Sequence, residues 1–457
     1  MSPASTDRKM RLASFLFIPS GHLGAWRMPD AIPEVDMKLE HYVRLARLSE
    51  DAKMDALFFQ DIVAVPRSND LAKGDTYGSI SIRATCLEPL TLLPALAMVT
   101  KHIGLAATAT ATYNEPYNIA RKFATLDHIS NGRAGWNLVT SQNENEAQNF
   151  NRDQHVDHAL RYERAGEFFD VVAGLWDSWD EGAILRDKDS GVYFDVDRLH
   201  MLNHKGKHFQ VRGPLNVDRM PQGYPVIFQA GSSEPGRDLA ARTADVVFTA
   251  QTSIEDARAF RNDIRERAAR YGRDPDEIKI LPGLKPVVGK TETEAQEIRD
   301  QMLSLIPEDQ AIAQLMQISG GLDLRKFPAD GPLPDLPPTN SAKARQELIM
   351  RKARQENLSL LEVARHFAES SGHLSMVGSP TQVADQMEEW FTAGACDGFV
   401  ATYSYYPRPV EDFTQLVIPE LQKRGLFRTE YEGNTLRENL GVANRSKVAK
   451  VSSVAAE

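Results

Sequence analysis

Cysteine is nearly missing from this chain: 457 residues include only Cys86 and Cys396. Two isolated thiols build neither a disulfide framework nor a metal site, and their scarcity suits a reducing cytoplasm. No apolar run approaches the length of a membrane span. The stretch MSPASTDRKMRLASFLFIPSG begins with basic residues, but its apolar run is too short for a signal-peptide core and Pro19 interrupts it. Blocks of one charge are absent as well. The net charge of −10 is spread along the sequence, and no basic stripe with interleaved aromatics offers a nucleic-acid surface. No G-x-G-x-x-G follows the first apolar run, SFLFIPSGHLGAW, which weighs against an open dinucleotide-binding sheet. The expectation is a cytoplasmic α/β protein with no nucleic-acid, membrane or metal partner.

What is present is an alternation. Short apolar runs, each followed by an amphipathic stretch, recur as SFLFIP (Ser14–Pro19), DALFFQD, IGLAATATAT, RAGWNLVTS, PVIFQAG, DVVFTAQ, IKILPGLKPVVG and DGFVATY. Near-continuous apolar strands alternating with helices fit a parallel sheet buried on both faces. About eight such units is the number that closes a (β/α)8 TIM barrel. Two segments break the alternation. One, about 180–216, includes a hairpin expected around HKGKHFQVRG; the other, about 317–371, joins Pro-rich FPADGPLPDLPPTN to the helix-like SAKARQELIMRKARQENLSLLEVARHFAES. The expectation is one barrel domain over 1–434, with both insertions shaping the active-site mouth. An arm and tail occupy 435–457, and VSSVAAE reads as disordered.

Barrel enzymes gather their functional groups at the C-terminal ends of strands. Here those ends carry Ser20 and His22, Asp61, Thr108, Asn137 with Thr140 and Ser141, Ser232 with Ser233, and Thr249. Nearly all are uncharged hydrogen-bonding groups, which suit a flat heterocycle better than a hydrolytic pair of carboxylates. In QAGSSEPGRDLAA, two serines lie between a buried strand and a helix start. That arrangement fits a phosphate held by backbone N–H groups and hydroxyls. It also fits a plain serine N-cap with Pro235 in the first turn. Arg161 and Tyr162, opening another helix, are candidates for the far side of the phosphate. His155 and His158 read as a solvated helix start, and Lys285 either faces an anionic substrate or pairs with a carboxylate.

Several long blocks carry a resemblance: SGHLGAWR, EPLTLLPALAMVTKHIGLAATATATYNEPYNIARKFATLDHISNGRAGWNLVTSQNENEAQNF, RYERAGEFFDVV, YPVIFQAGSSEPGRDLAA and VGSPTQVADQMEEWFTAGACDGF. From about Phe15 to about Glu432 the chain resembles the bacterial-luciferase superfamily, in the subgroup of nitrilotriacetate, dibenzothiophene-sulfone and long-chain-alkane monooxygenases. The resemblance implies a flavoprotein barrel that takes FMN, as FMNH2, from a separate NAD(P)H:flavin reductase. With O2 it would oxygenate a small organosulfur, amine or aminocarboxylate compound. Asp61 and Thr108 then match positions near the flavin ring, Asn137 contacts the isoalloxazine, and Tyr162, Ser232 and Ser233 match the phosphate-binding set. His22 matches an active-site histidine that titrates near neutral pH; read from the residues alone, it caps a loop. Pro19 stands where the alkane enzyme has cysteine, and Gln142 where it has histidine after V-T-S, which disfavours alkane hydroxylation. Gln142 and Phe248 are expected in the substrate pocket, Phe248 equally as core. A homodimer or homotetramer is expected from the resemblance and from an arm with few means of burying its apolar residues alone. Two other readings compete: a deazaflavin-dependent oxidoreductase on the same fold, and a non-catalytic barrel that binds a phosphorylated ligand.

Overall fold

Strands rich in Val, Ile, Ala and Phe, buried along nearly their whole length, pair only with other buried strands, and here they form one nine-stranded parallel sheet. The computed structural model describes residues 8–65, 85–339 and 343–445. The first strands are β1 (Arg11–Phe15), β2 (Ala56–Phe59), β3 (Gly104–Thr110) and β4 (Ala134–Val139). A separate antiparallel hairpin, β5 (His204–Lys205) and β6 (Gln210–Val211), stands where HKGKHFQVRG predicts one. Then come β7 (Val226–Gln229), β8 (Val246–Thr249), β9 (Lys279–Val288), β10 (Leu374–Gly378) and β11 (Gly398–Thr402). The order β1-β2-β3-β4-β7-β8-β9-β11 returns to β1, so eight strands close the barrel. Phe15, Phe58, Phe228 and Phe248 fill its interior edge to face, with centroids 5.1–5.9 Å apart.

Helices α1 (Leu39–Asp51), α2 (Pro89–Ala97), α3 (Pro116–Ser130), α4 (His158–Trp176), α5 (Glu234–Thr243), α6 (Ile254–Arg270) and α7 (Glu292–Ser304) follow the strands and surround the barrel. Among the described residues no helix is long and apolar enough to cross a membrane. Two strands differ from expectation. The first is β1, which begins at Arg11 and ends at Phe15, because Phe17 and Ile18 of SFLFIP supply apolar wall rather than paired backbone. The other is β10, which no periodicity announced. It pairs with Leu284–Val288, the part of β9 beyond its pairing with β8.

The insertions occupy opposite ends. Residues 180–216 lie between α4 and β7, a helix-to-strand connection, and therefore at the barrel's N-terminal end, away from the mouth they were expected to shape. The second insertion caps the mouth. Helices α8 (Glu308–Leu315), α9 (Lys343–Gln355) and α10 (Leu360–Ser370) share a small core of their own, seated on Leu23. Chain then returns through β10 to α11 (Pro380–Thr392), α12 (Arg408–Asp412) and α13 (Ile418–Lys423).

The C-terminal arm closes the floor. Helix α14 (Leu436–Leu440) packs Leu436 and Leu440 with Val442 against Ala13, Ala56, Ala106 and Val226. Gly104 makes this approach possible, since a Cβ there would lie 2.4 Å from Leu436 Cδ1. Arg437, 1% exposed, donates to the carbonyls of Tyr224 and Pro225 and to Asp245 at 2.7, 3.1 and 2.9 Å. The arm thus buries its apolar residues within its own chain, which removes that argument for an oligomer. VSSVAAE lies outside the described residues.

Candidate active site

The C-terminal ends of the strands open into one cavity of about 550 Å³ beneath the cap. Asp61, Thr108, Asn137, Gln142, Tyr162, Ser232, Ser233 and Phe248 all line it. The structure therefore gathers eight of the nine expected site residues, drawn from five strands or the loops and helices after them.

One wall is an amide relay. Thr108 Oγ1 donates to the Phe59 carbonyl at 2.8 Å and accepts from Asn137 Nδ2 at 2.8 Å. Asn137 is 4% exposed, and its Oδ1 has no partner among the described residues. An unpaired buried acceptor is costly unless a ligand donor meets it.

A second wall is the start of α5. Ser233 is the N-cap, its Oγ accepting from Gly236 N at 3.3 Å, so the plain capping reading holds. The capping geometry does not exhaust the site. Ser232 Oγ lies 3.5 Å from Thr249 Oγ1, and Gly231 N donates to Gln229 Oε1 at 2.9 Å. A Cβ on Gly231 or Gly236 would come within 3.1 or 3.0 Å of Tyr162 Oη, which places that hydroxyl over the glycine contact. Three hydroxyls thus surround the N-terminus of α5, the positive end of its dipole.

The remaining wall is aromatic and cationic. Phe248 stacks on His373 at 5.2 Å and packs edge-on to Phe15 and Phe58, so it is both cavity wall and core. Lys285 Nζ donates to the Gly21 and Glu369 carbonyls and so ties the loop after β1 to the cap. Arg161 donates to the Ser141 carbonyl and sits 2.7 Å from His155 Nε2. His155 is buried against Tyr113, contrary to the solvated helix start expected of it. Burial raises the Asp61 carboxyl to about 6, with Glu88 and Glu146 adding to the shift, and burial raises the Glu146 carboxyl too.

His22 departs from expectation. Its neighbours Gly21 and Leu23 line the cavity, whereas the imidazole is 1% exposed behind them. Nδ1 accepts from Gly24 N and Ala25 N, both at 3.2 Å, capping the short 3-10 turn Ala25–Arg27. Burial, with Lys285 nearby, lowers its pKa to about 3, so the ring is neutral at physiological pH rather than poised near 6.5. With Nδ1 an acceptor, the proton sits on Nε2, which has no partner among the described residues.

Against known proteins, the model for luciferase-like monooxygenases matches residues 10–396. The chain belongs to the luciferase-like monooxygenase family. Its relatives include nitrilotriacetate monooxygenase component A of Aminobacter aminovorans, 49% identical over 98% of this chain and 99% of that one. The N-acetyl-S-(2-succino)cysteine monooxygenase of Bacillus subtilis (strain 168) is 46% identical over 96% and 98%. Among solved structures, riboflavin lyase with modified FMN and riboflavin superposes with a TM-score of 0.85 at 30% identity, covering 96% and 97%. Like its relatives across nearly the whole chain, this luciferase-like monooxygenase is an enzyme built on a closed (β/α)8 barrel. Sequence reasoning missed the cap's share of the site, Gln314, Arg345, Phe367 and His373. Arg345 and Phe367 sit in the second insertion, with Gln314 and His373 just outside its ends, where helical periodicity shows which face is apolar, not what that face covers.

Proposed function

We propose that this protein is the oxygenating component of a two-component system. It takes reduced FMN from a separate NAD(P)H:flavin reductase and, with O2, oxygenates a small organosulfur, amine or aminocarboxylate substrate. The observation that carries this reading is the pairing of two unmet demands in one cavity. A helix N-terminus ringed by hydroxyls suits an anion, and Asn137 Oδ1, without a donor among the described residues, suits an N–H group. FMN brings a phosphate to the first and a ring N–H to the second, and the solved relative carrying modified FMN supports the choice.

Reduced FMN, when bound, would supply the two electrons that let one oxygen atom enter the substrate while the other leaves as water. The chain's own residues do the rest. Ser232, Ser233 and Tyr162 bind the phosphate at the positive end of α5. Thr108 fixes the amide of Asn137 so that Oδ1 faces the ring, with Asp61 on the same wall. Phe248 and Gln142 bound the substrate's space, and the cap excludes water. His22 is a positioning residue, a neutral Nε2–H donor behind the wall rather than an acid titrating near pH 7.

The protein acts in the cytoplasm as a homodimer or homotetramer. The exposed Val192, Tyr193 and Val196 of the first insertion give a second copy an apolar face. Anaerobic titration with reduced FMN, reduced riboflavin and a reduced deazaflavin tests the central reading. Saturable binding with FMN preferred is expected. A deazaflavin preference would replace the reading with hydride transfer, and no binding of any flavin would overturn it.

A further inference from the structure

Among the described residues three strongly basic side chains line the cavity, and their surroundings differ. Arg161 and Lys285 are engaged by main-chain carbonyls, as described. Arg345, on α9 of the cap, is not: among the described residues no carboxylate and no hydrogen-bond acceptor engages its guanidinium. Burial alone lowers its pKa, with no charged neighbour contributing. A guanidinium keeps its proton in proteins, and this one is half-buried in the cavity wall, so leaving it without a counter-charge has a cost. Charges partly withdrawn from water gain most from a partner, so an anion in the cavity suits this position.

The position is also built. The aliphatic stem of Arg345 lies against Gly372, where a Cβ would be 3.6 Å from Cγ and 3.9 Å from Cδ. Gln346, the next residue, is buried and ties α9 down by donating from Nε2 to the Ile318 and Pro337 carbonyls at 2.8 and 2.9 Å. The guanidinium is therefore carried on an anchored helix rather than a loose loop. Asp61 and Glu146, the cavity's carboxylates, make no ion pair with it among the described residues.

Two anions are available to such a group, the flavin phosphate and the substrate. The phosphate is assigned above to the hydroxyls at α5, contributed by the barrel, whereas Arg345 comes from the cap. Resting on the flavin-monooxygenase reading, we infer that Arg345 holds a carboxylate of the substrate, which is therefore an organic acid. The fork of the guanidinium matches a carboxylate with two parallel N–H···O bonds.

The test is calorimetry on the full-length protein and on Arg345→Gln and Arg345→Lys. The probes are succinate, nitrilotriacetate and N-acetyl-S-(2-succino)cysteine, with dimethyl succinate as the neutral counterpart, and FMN with riboflavin as cofactor controls. At least one acid should bind the wild type. Its Kd should rise about 10- to 100-fold in Arg345→Gln, from the loss of a charge-assisted contact, and less in Arg345→Lys. FMN affinity should stay within about twofold in both variants, which also reports that they are folded. Three results would each overturn the inference: no acid binds, the ester binds the wild type as well as its acid, or Arg345→Gln loses FMN while riboflavin is unaffected. The last would assign Arg345 to the flavin phosphate. Failure of the wild type to bind any flavin overturns the underlying reading instead, and so separates the two.

Discussion

Replacing Ser232 by Ala together with Tyr162 by Phe removes two hydroxyls from the start of α5 while leaving its cap intact. The structure makes this a cleaner probe than Ser233, whose Oγ also accepts from Gly236 N. Ser232 Oγ has only a long 3.5 Å contact to Thr249, so its loss costs the fold little. Each hydrogen bond to a phosphate is worth about 1.5–3 kcal/mol, so the pair represents roughly 3–6 kcal/mol if the two contributions add. That corresponds to a loss of FMN affinity on the order of 10²–10⁴. Riboflavin has the same ring and no phosphate, so its affinity should change by less than about twofold. Fluorescence titration of both ligands on both proteins reads the difference directly. Because the second phosphate ionisation lies near pH 6, wild-type affinity for FMN should fall below that pH, and more steeply than riboflavin's. Equal losses for the two ligands, or none, would mean that the hydroxyls do not touch a phosphate and that α5 carries only its cap.

Other outcomes follow from the same geometry. Ser233→Ala should lose about 0.5–2 kcal/mol of stability from the N-cap in addition to FMN affinity, and an unchanged urea midpoint would contradict the capping contact. Wild-type His22 has a folded pKa of about 3, below its unfolded 6.5, so its stabilisation is complete above pH 6.5 and is lost as pH falls toward 3. His22→Asn has no such group, so the wild type should lose stability relative to it by about 1.4 kcal/mol per pH unit in that window; a constant difference would show the imidazole is not buried neutral. Arg437→Met breaks a buried pair with Asp245 and should cost about 3–5 kcal/mol by denaturant unfolding, unless Arg445, 3.0 Å from the same carboxylate, compensates. Val196→Glu should shift an oligomer toward monomer in sedimentation, and a wild type that is already monomeric at micromolar concentration would remove that face from the proposal.

The barrel was legible because its strands are buried on both faces and its helices on one. Two periodicities then alternate along the chain with little ambiguity, and seven of the eight expected strands fall at the predicted apolar runs. The polar strand ends were legible for the same reason, since a buried run that stops in Thr, Asn or Ser places those groups at the mouth. The eighth strand was offset because apolar character is shared by paired backbone, core and cavity wall: Phe17 lines the cavity and Ile18 packs into the core. Only the tertiary structure decided what distant segments meet. It set the first insertion at the closed end of the barrel, laid the C-terminal arm under the floor against Gly104, and brought Arg345 from residue 345 to the same cavity as Asn137. It also decided the state of His22, because an imidazole's pKa depends on burial and partners rather than on its neighbours in sequence. Local propensity and periodicity depend on residues a few positions apart, whereas burial, pairing and charge compensation depend on whatever the folded chain places within a few ångströms.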